Sequence, residues 1–217
     1  AAHEIKERLE KLVGTASEKV IAGTFHTVGL KMLQEEHALS GRKGALTIYD
    51  EDDQLLLVRY VMSELGIEEK EIPSKSVVWE INIAKNDNIP PKRYLSVKGD
   101  AFSAVVARIY AAYQKKLETM GAVDFGDLIC RPVTLLATDP DILARYSGRF
   151  RYILVDEFQD TNKSQYELTS LLASTHRNLC VVGDPDQSIY GWRGASIDNI
   201  LKFREDYSGA RYVKLEQ

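Results

Sequence analysis

The sequence predicts an α/β protein, a parallel sheet flanked by helices and interrupted by an inserted all-helical region. Three observations carry this. Two short apolar runs, Tyr152–Val155 and Leu179–Val182, each end in a polar, acidic cluster. A helical stretch separates them, at about residues 163–174. Residues 46–121 show helical periodicity with no convincing strand run. A continuous apolar run bounded by polar residues suits a strand buried on both faces of a parallel sheet. Strands alternating with helices point to right-handed crossovers.

Taken in order, residues 1–13 place Ile5, Leu9, Leu12 and Val13 on one helical face, with Gly14 as the stop. Val20–Gly23 reads as a short strand, followed by Thr24-Phe25-His26-Thr27 and a helix to about Leu39. Thr24 and His26 then stand at the carboxyl edge of a strand. Taken alone, they read more simply as a capping hydroxyl and a surface histidine. In the helical region, Asp50 and Asp53 open a helix that Gly66 closes, Ser74 caps a second to about Asn86, and Asn88-Ile89-Pro90-Pro91 breaks it. Asp100 caps a third helix carrying Phe102, Val105, Val106, Ile109, Tyr113 and Leu117 on one stripe, with Gly121 after it. Asp124 is placed to cap a helix to about Ala137, and Asp139-Pro140-Asp141 starts a short helix ending near Gly148. After the two apolar runs come a helix from Ser196 to about Arg204 and a strand from Arg211.

The 217 residues suffice for one large domain or two small ones. The net charge of -4 argues against coating nucleic acid through bulk positive charge, though not against a local groove. No apolar run reaches the ~18 residues of a membrane span, and nothing resembles a signal peptide. The two cysteines, Cys130 and Cys180, have no metal spacing; Cys180 lies in an apolar run and reads as a buried thiol. A reducing cytoplasm fits. The chain starts Ala1-Ala2-His3, without methionine, and stops inside the expected last strand, so an excerpt of a larger protein is expected.

The chemistry gathers at the ends of the two apolar runs. The first delivers Asp156, Glu157, Gln159 and Asp160; the second delivers Gly183, Asp184, Asp186 and Gln187, then Tyr190, Trp192 and Arg193. Ligands of open α/β sheets sit at the carboxyl ends of the strands, so both clusters are expected to line one site. An apolar strand closing in Asp-Glu suits the second half of a nucleoside-triphosphate site. Asp156 would hold Mg²⁺, which favours hard oxygen ligands, and Glu157 would orient or deprotonate the attacking water. Solvated acids at a strand end are the plainer alternative. Gln187, just past the neighbouring strand, can donate to a γ-phosphate oxygen. Two aromatic rings and a guanidinium directly after it can form a platform for unpaired bases, although Tyr190 and Trp192 could equally pack under the sheet.

Val155-Asp156-Glu157-Phe158-Gln159-Asp160-Thr161-Asn162 resembles motif II of the superfamily 1 DNA helicases of the UvrD/Rep/PcrA type. The run from Gly183 to Ala195 resembles their motif III. Gly23-Thr24-Phe25-His26-Thr27 is similar to motif Ib, Asp124-Phe125-Gly126-Asp127-Leu128 to the DNA-contacting segment before motif II, and residues 1–9 to the helix after motif Ia. Motifs II and III are long and specific; the others would be weak alone. The resemblance implies a RecA-like sheet of the P-loop NTPase type, divided as 1–45 and 122–217 around a helical subdomain at 46–121. It implies ATP and Mg²⁺ as cofactors, with single-stranded DNA and a duplex junction as partners. It makes Asp156 the metal ligand, Glu157 the catalytic carboxylate and Gln187 the γ-phosphate sensor. Thr24, His26, Phe125, Tyr190 and Trp192 would contact DNA, Arg193 would tie that platform to the ATP site, and Gln159 and Asp160 would organise the loop between sites. The activity implied is 3′→5′ translocation and unwinding in DNA repair or replication.

One departure stands out. No Gly-x-x-x-x-Gly-Lys-Ser/Thr phosphate loop occurs in these residues. Gly41-Arg42-Lys43-Gly44 lacks the spacing and follows a helix. The family pattern places that loop upstream and a second motor domain downstream. A non-catalytic helicase-like binding module and the motor subunit of a helicase–nuclease complex are the rival readings.

Overall fold

The structure is a computed structural model that describes residues 2–40, 46–187 and 198–214. The chain divides into two compact units, Ala1–Lys85 with Ile89–Leu135, and Asn86–Asn88 with Leu136–Gln217. It is mostly helical, and the strands of the described residues form two small two-stranded parallel sheets.

The first unit opens with helix α1 (Ala2–Val13), which ends at Gly14 as expected, and a 3-10 turn at Gly14–Lys19. Leu12 and Val13 of its apolar face are exposed. The strand expected at Val20–Gly23 is not formed; a strand needs a ladder partner, and no described strand pairs with it. Thr24 then caps α2 (Phe25–Leu39), its Oγ1 accepting the Thr27 N–H at 3.2 Å.

β1 (Thr47–Tyr49) corrects the all-helical reading of residues 46–121. Three residues are too few to show a period, and the strand exists because β2 (Ala122–Asp124) pairs with it in parallel, Thr47 against Ala122 and Tyr49 against Asp124. Between these strands lie α3 (Glu51–Glu64), α4 (Ser74–Asn86), α5 (Pro91–Lys98) and α6 (Ala101–Thr119). Asp50 and Asp53 form the expected capping box on α3, worth about 1 kcal/mol, with Gly66 just beyond its end. Ser74 is the first residue of α4, not its cap: its hydroxyl donates to Glu69 Oε1 at 2.7 Å. Pro90-Pro91 ends one helix and starts another, since proline at the first helical position gives up no hydrogen bond; α5 was not expected. Val58, Val61, Val77, Ile81, Val106, Ile109, Tyr113 and Leu117 form the fully buried core. After β2, α7 (Asp127–Thr138) follows.

In the second unit, Asp139 caps α8 (Pro140–Arg149). β3 (Ile153–Val155) pairs in parallel with β4 (Leu179–Val181), Leu154 facing Cys180 and Val155 facing Val181. α9 (Lys163–Ala173), capped by Asn162 and Gln165, connects them, and α10 (Asp198–Asp206) follows. Phe158 packs on Tyr166 and on Phe203 of α10. The apolar runs are not buried on both faces. Val155 points inward, whereas Leu154 is 76% exposed and Cys180 is exposed, so the buried-thiol reading is also corrected. The physical cause is the strand's period of two: within this unit only one face is covered by described residues. Residues 211–214 form no strand, and 215–217 lie outside the described residues.

Candidate functional site

The acidic site is built where β3 ends. The pairing continues past the strand: Val182 N–H donates to Val155 O at 2.8 Å and Phe158 N–H to Val182 O at 2.9 Å. Asp156 and Glu157 lie between those two bonds and are thrown outward into solvent. Glu157 adopts φ 50° and ψ 43°, a left-handed conformation that costs a residue with a side chain about 1–3 kcal/mol. Its N–H donates to Asp156 Oδ1 at 3.0 Å.

A chain of hydrogen bonds leads from this carboxylate to the second cluster. Gln159, buried, donates Nε2–H to Glu157 Oε2 at 2.7 Å and accepts the Asp184 N–H on Oε1 at 3.0 Å. Asp184 Oδ2 accepts from Gln187 Nε2 at 2.8 Å. Thus Glu157 and Gln187, from two different strand ends, belong to one connected polar system. Gln159 bridges the turn after β3 and the turn after β4. Asp160 bonds through its backbone N–H to Glu157 O, while its Oδ1 finds no hydrogen-bond partner among the described residues. Tyr190, Trp192 and Arg193 lie outside the described residues.

Asp156 and Glu157 offer hard carboxylate oxygens in the open. No group of three or more metal-ligating side chains occurs among the described residues. That donor set fits Mg²⁺, which is commonly held by one or two carboxylates, with water and substrate phosphates completing its shell.

In the first unit, the structure brings His26 and Phe125 together. Their ring centroids are 5.8 Å apart at 66°, an edge-on contact between the first turn of α2 and the turn joining β2 to α7. Phe125 keeps 52% of its surface exposed. Burial pushes the His26 imidazole below its usual pKa, so the ring is neutral at pH 7. The Thr24 hydroxyl serves as a helix cap.

Against the turn of residues 124–127 lies a group that the sequence reading missed. Lys85, buried at the end of α4, places Nζ 2.6 Å from Asp124 Oδ2 and 2.8 Å from Asp127 Oδ1. Tyr113 OH donates to Asp124 at 2.7 Å, and Gln114 and Arg131 reach Asp127. Asp124 Oδ1 also accepts the Asp127 N–H at 2.9 Å, so its expected capping role at α7 holds even though it lies in β2. Burial alone would lower the Lys85 pKa, but the charges of Asp127 and Asp124 outweigh it and hold the lysine above its usual value. Burial would raise Asp124, yet Lys85 keeps that carboxyl below its usual range. A Cβ on Gly126 would lie 2.6 Å from Lys85 Cδ, so glycine makes room for the lysine stem. The signal was present: Val77, Ile81 and Lys85 continue one buried stripe at a spacing of four.

The chain matches the family model described as UvrD/REP helicase N-terminal domain over residues 1–208. It is 42% identical over 217 residues to a protein of Staphylococcus aureus (strain Mu50 / ATCC 700699) named ATP-dependent DNA helicase PcrA, covering 100% of this chain and 30% of that one. Proteins of the same name from Bacillus subtilis (strain 168) and Leuconostoc citreum are 41% and 40% identical, again over 100% of this chain and 29% of each relative. The chain therefore spans less than a third of the length of these curated relatives.

Proposed function

The chain belongs to the UvrD/REP helicase N-terminal domain family, and from that premise we propose that it forms part of the first, RecA-like motor domain of an ATP-dependent 3′→5′ DNA helicase. Residues 1–45 and 122–217 are its core pieces and residues 46–121 its helical insertion. The protein steps along single-stranded DNA towards a duplex junction, in repair or replication, in the cytoplasm. No helix of the described residues is long and apolar enough to cross a membrane.

The observation that carries this reading is the hydrogen-bonded chain Glu157–Gln159–Asp184–Gln187. It joins a solvent-facing carboxylate to an amide on the neighbouring strand end, the pairing needed to activate water while sensing a terminal phosphate. Asp156 would hold Mg²⁺, which would supply charge neutralisation on the phosphates. Glu157 orients the attacking water and receives its proton. Gln187, released from Asp184, donates to the γ-phosphate. In the first unit, Phe125 presents an exposed ring on which a base can stack, with the half-buried His26 against its edge; Tyr190 and Trp192 have the role of contacting DNA as well, and Arg193 that of linking DNA contact to the ATP site.

Phosphate release measured with and without single-stranded DNA tests the reading. The full-length protein is expected to hydrolyse ATP in a DNA-stimulated manner, and the 217 residues alone, which contain no phosphate loop, negligibly. Normal turnover by the isolated chain would contradict it. Phe125→Ala in the full-length protein is expected to weaken single-strand binding by about 1–3 kcal/mol, the worth of one base stack. Fluorescence anisotropy with a labelled oligonucleotide reads this, and unchanged affinity removes Phe125 from the track.

A further inference from the structure

We infer that Gln159 is a positioning residue that locks the water-activating carboxylate of Glu157 to the strand end bearing Gln187, so that hydrolysis responds to what happens along the second cluster. The inference rests on the roles proposed above for Glu157 and Gln187 and goes beyond them, because it says what makes the two act together.

Four features argue for it. First, Gln159 is 1% exposed, and its amide is used at both ends. The amide's orientation is dictated by chemistry: a carboxylate on one side can only accept, and a backbone N–H on the other can only donate. Second, Glu157 sits in a left-handed conformation, which persists only where its surroundings hold it; the bond from Gln159 is one of those restraints. Third, the fit against the second strand end is close. A Cβ on Gly183 would fall 2.6 Å from Gln159 Oε1 and 3.2 Å from the backbone nitrogens of Phe158 and Gln159. A shift of that strand end is therefore passed directly to the amide. Fourth, the same loop also holds the chain after residues 188–197: Asn199 Nδ2 donates to Thr161 O at 2.7 Å, and both residues are buried. Asp184 and Asn199 thus both contact residues 159–161. Gln159 is the member of that loop whose side chain also reaches Glu157.

Two substitutions in the full-length protein separate this role from simple packing. Gln159→Glu keeps an acceptor for the Asp184 N–H but sets a carboxylate against Glu157; Gln159→Leu keeps the bulk and loses both bonds. For each, steady-state ATP hydrolysis is measured with and without saturating single-stranded DNA, beside Tm and oligonucleotide affinity. The expected result is a fall of about ten- to hundredfold in DNA-stimulated kcat, the worth of a hydrogen bond to a charged group. ATP KM and DNA affinity should stay within about twofold, while the basal rate falls by less than the stimulated rate, so that the ratio of stimulated to basal rate drops. Wild-type stimulation in Gln159→Glu would overturn the inference. So would a loss confined to Tm, or an equal loss of basal and stimulated rates in both variants. Glu157→Gln is the control: if it retains turnover, the catalytic reading itself fails, whereas an inactive Glu157→Gln beside a fully stimulated Gln159→Glu removes only the coupling.

Discussion

Replacing Glu157 with Gln in the full-length protein is expected to abolish DNA-stimulated ATP hydrolysis while leaving ATP binding in place. The glutamine is nearly isosteric, so the left-handed turn at residue 157 and the contact with Gln159 can be retained in shape. What is lost is the negative charge and the capacity to take a proton from water. General-base contributions run to about 10²–10⁴-fold, and the fall in kcat should be of that order. On the proposed reading ATP affinity rests on Asp156 and on phosphate contacts elsewhere, so it should change little. A phosphate-release assay paired with a fluorescent-nucleotide titration separates the two quantities. Turnover close to wild type would remove Glu157 from the catalytic role, and loss of nucleotide binding alone would move it to a binding role.

The second large effect is on stability. Lys85→Met is expected to destabilise the first unit by about 3–5 kcal/mol, because it leaves Asp124 buried without its cation and leaves Asp127 with Arg131 alone. The bulk of the stem is roughly kept, so the loss is electrostatic. Urea unfolding of the chain measures it, and a midpoint equal to wild type would show the ion pairs to be dispensable. The pH dependence has a defined sign. Asp124 is held below its usual pKa when folded, so its contribution is present above about pH 4, the unfolded value, and is lost as pH falls through the depressed folded value. Lys85 is held above its usual value, so its contribution is complete below about pH 10.4 and is lost as pH rises through the raised folded value. Stability from this cluster should be flat between those limits, and Lys85→Met should lose the part of the acid limb that Asp124 supplies.

Several elements were legible because their signals are local. Asp50 with Asp53, Asp100, and Asp139 mark helix starts through side chains that reach no more than three residues along the chain. The strands at residues 153–155 and 179–181 were legible as apolar runs ending in acids. β1 was not, because three residues carry no period and its identity comes from β2, far along the chain. The strand read at Val20–Gly23 failed for the complementary reason: its composition suits a strand, but composition supplies no partner.

The acidic site divides in the same way. Asp156, Glu157 and Gln187 stand out by residue type and by position at a strand end, so they could be picked out as candidates from the sequence, as could the family resemblance of the runs that carry them. Only the tertiary structure showed that Gln159 bridges Glu157 to Asp184, and that Lys85 sits between Asp124 and Asp127. The sequence alone determined which groups can do chemistry, because charge, proton affinity and hydrogen-bonding capacity belong to the side chain itself. Which of those groups act on one another was decided by folding, because a hydrogen bond or a buried ion pair depends on distances of about 3 Å that separation along the chain does not reveal.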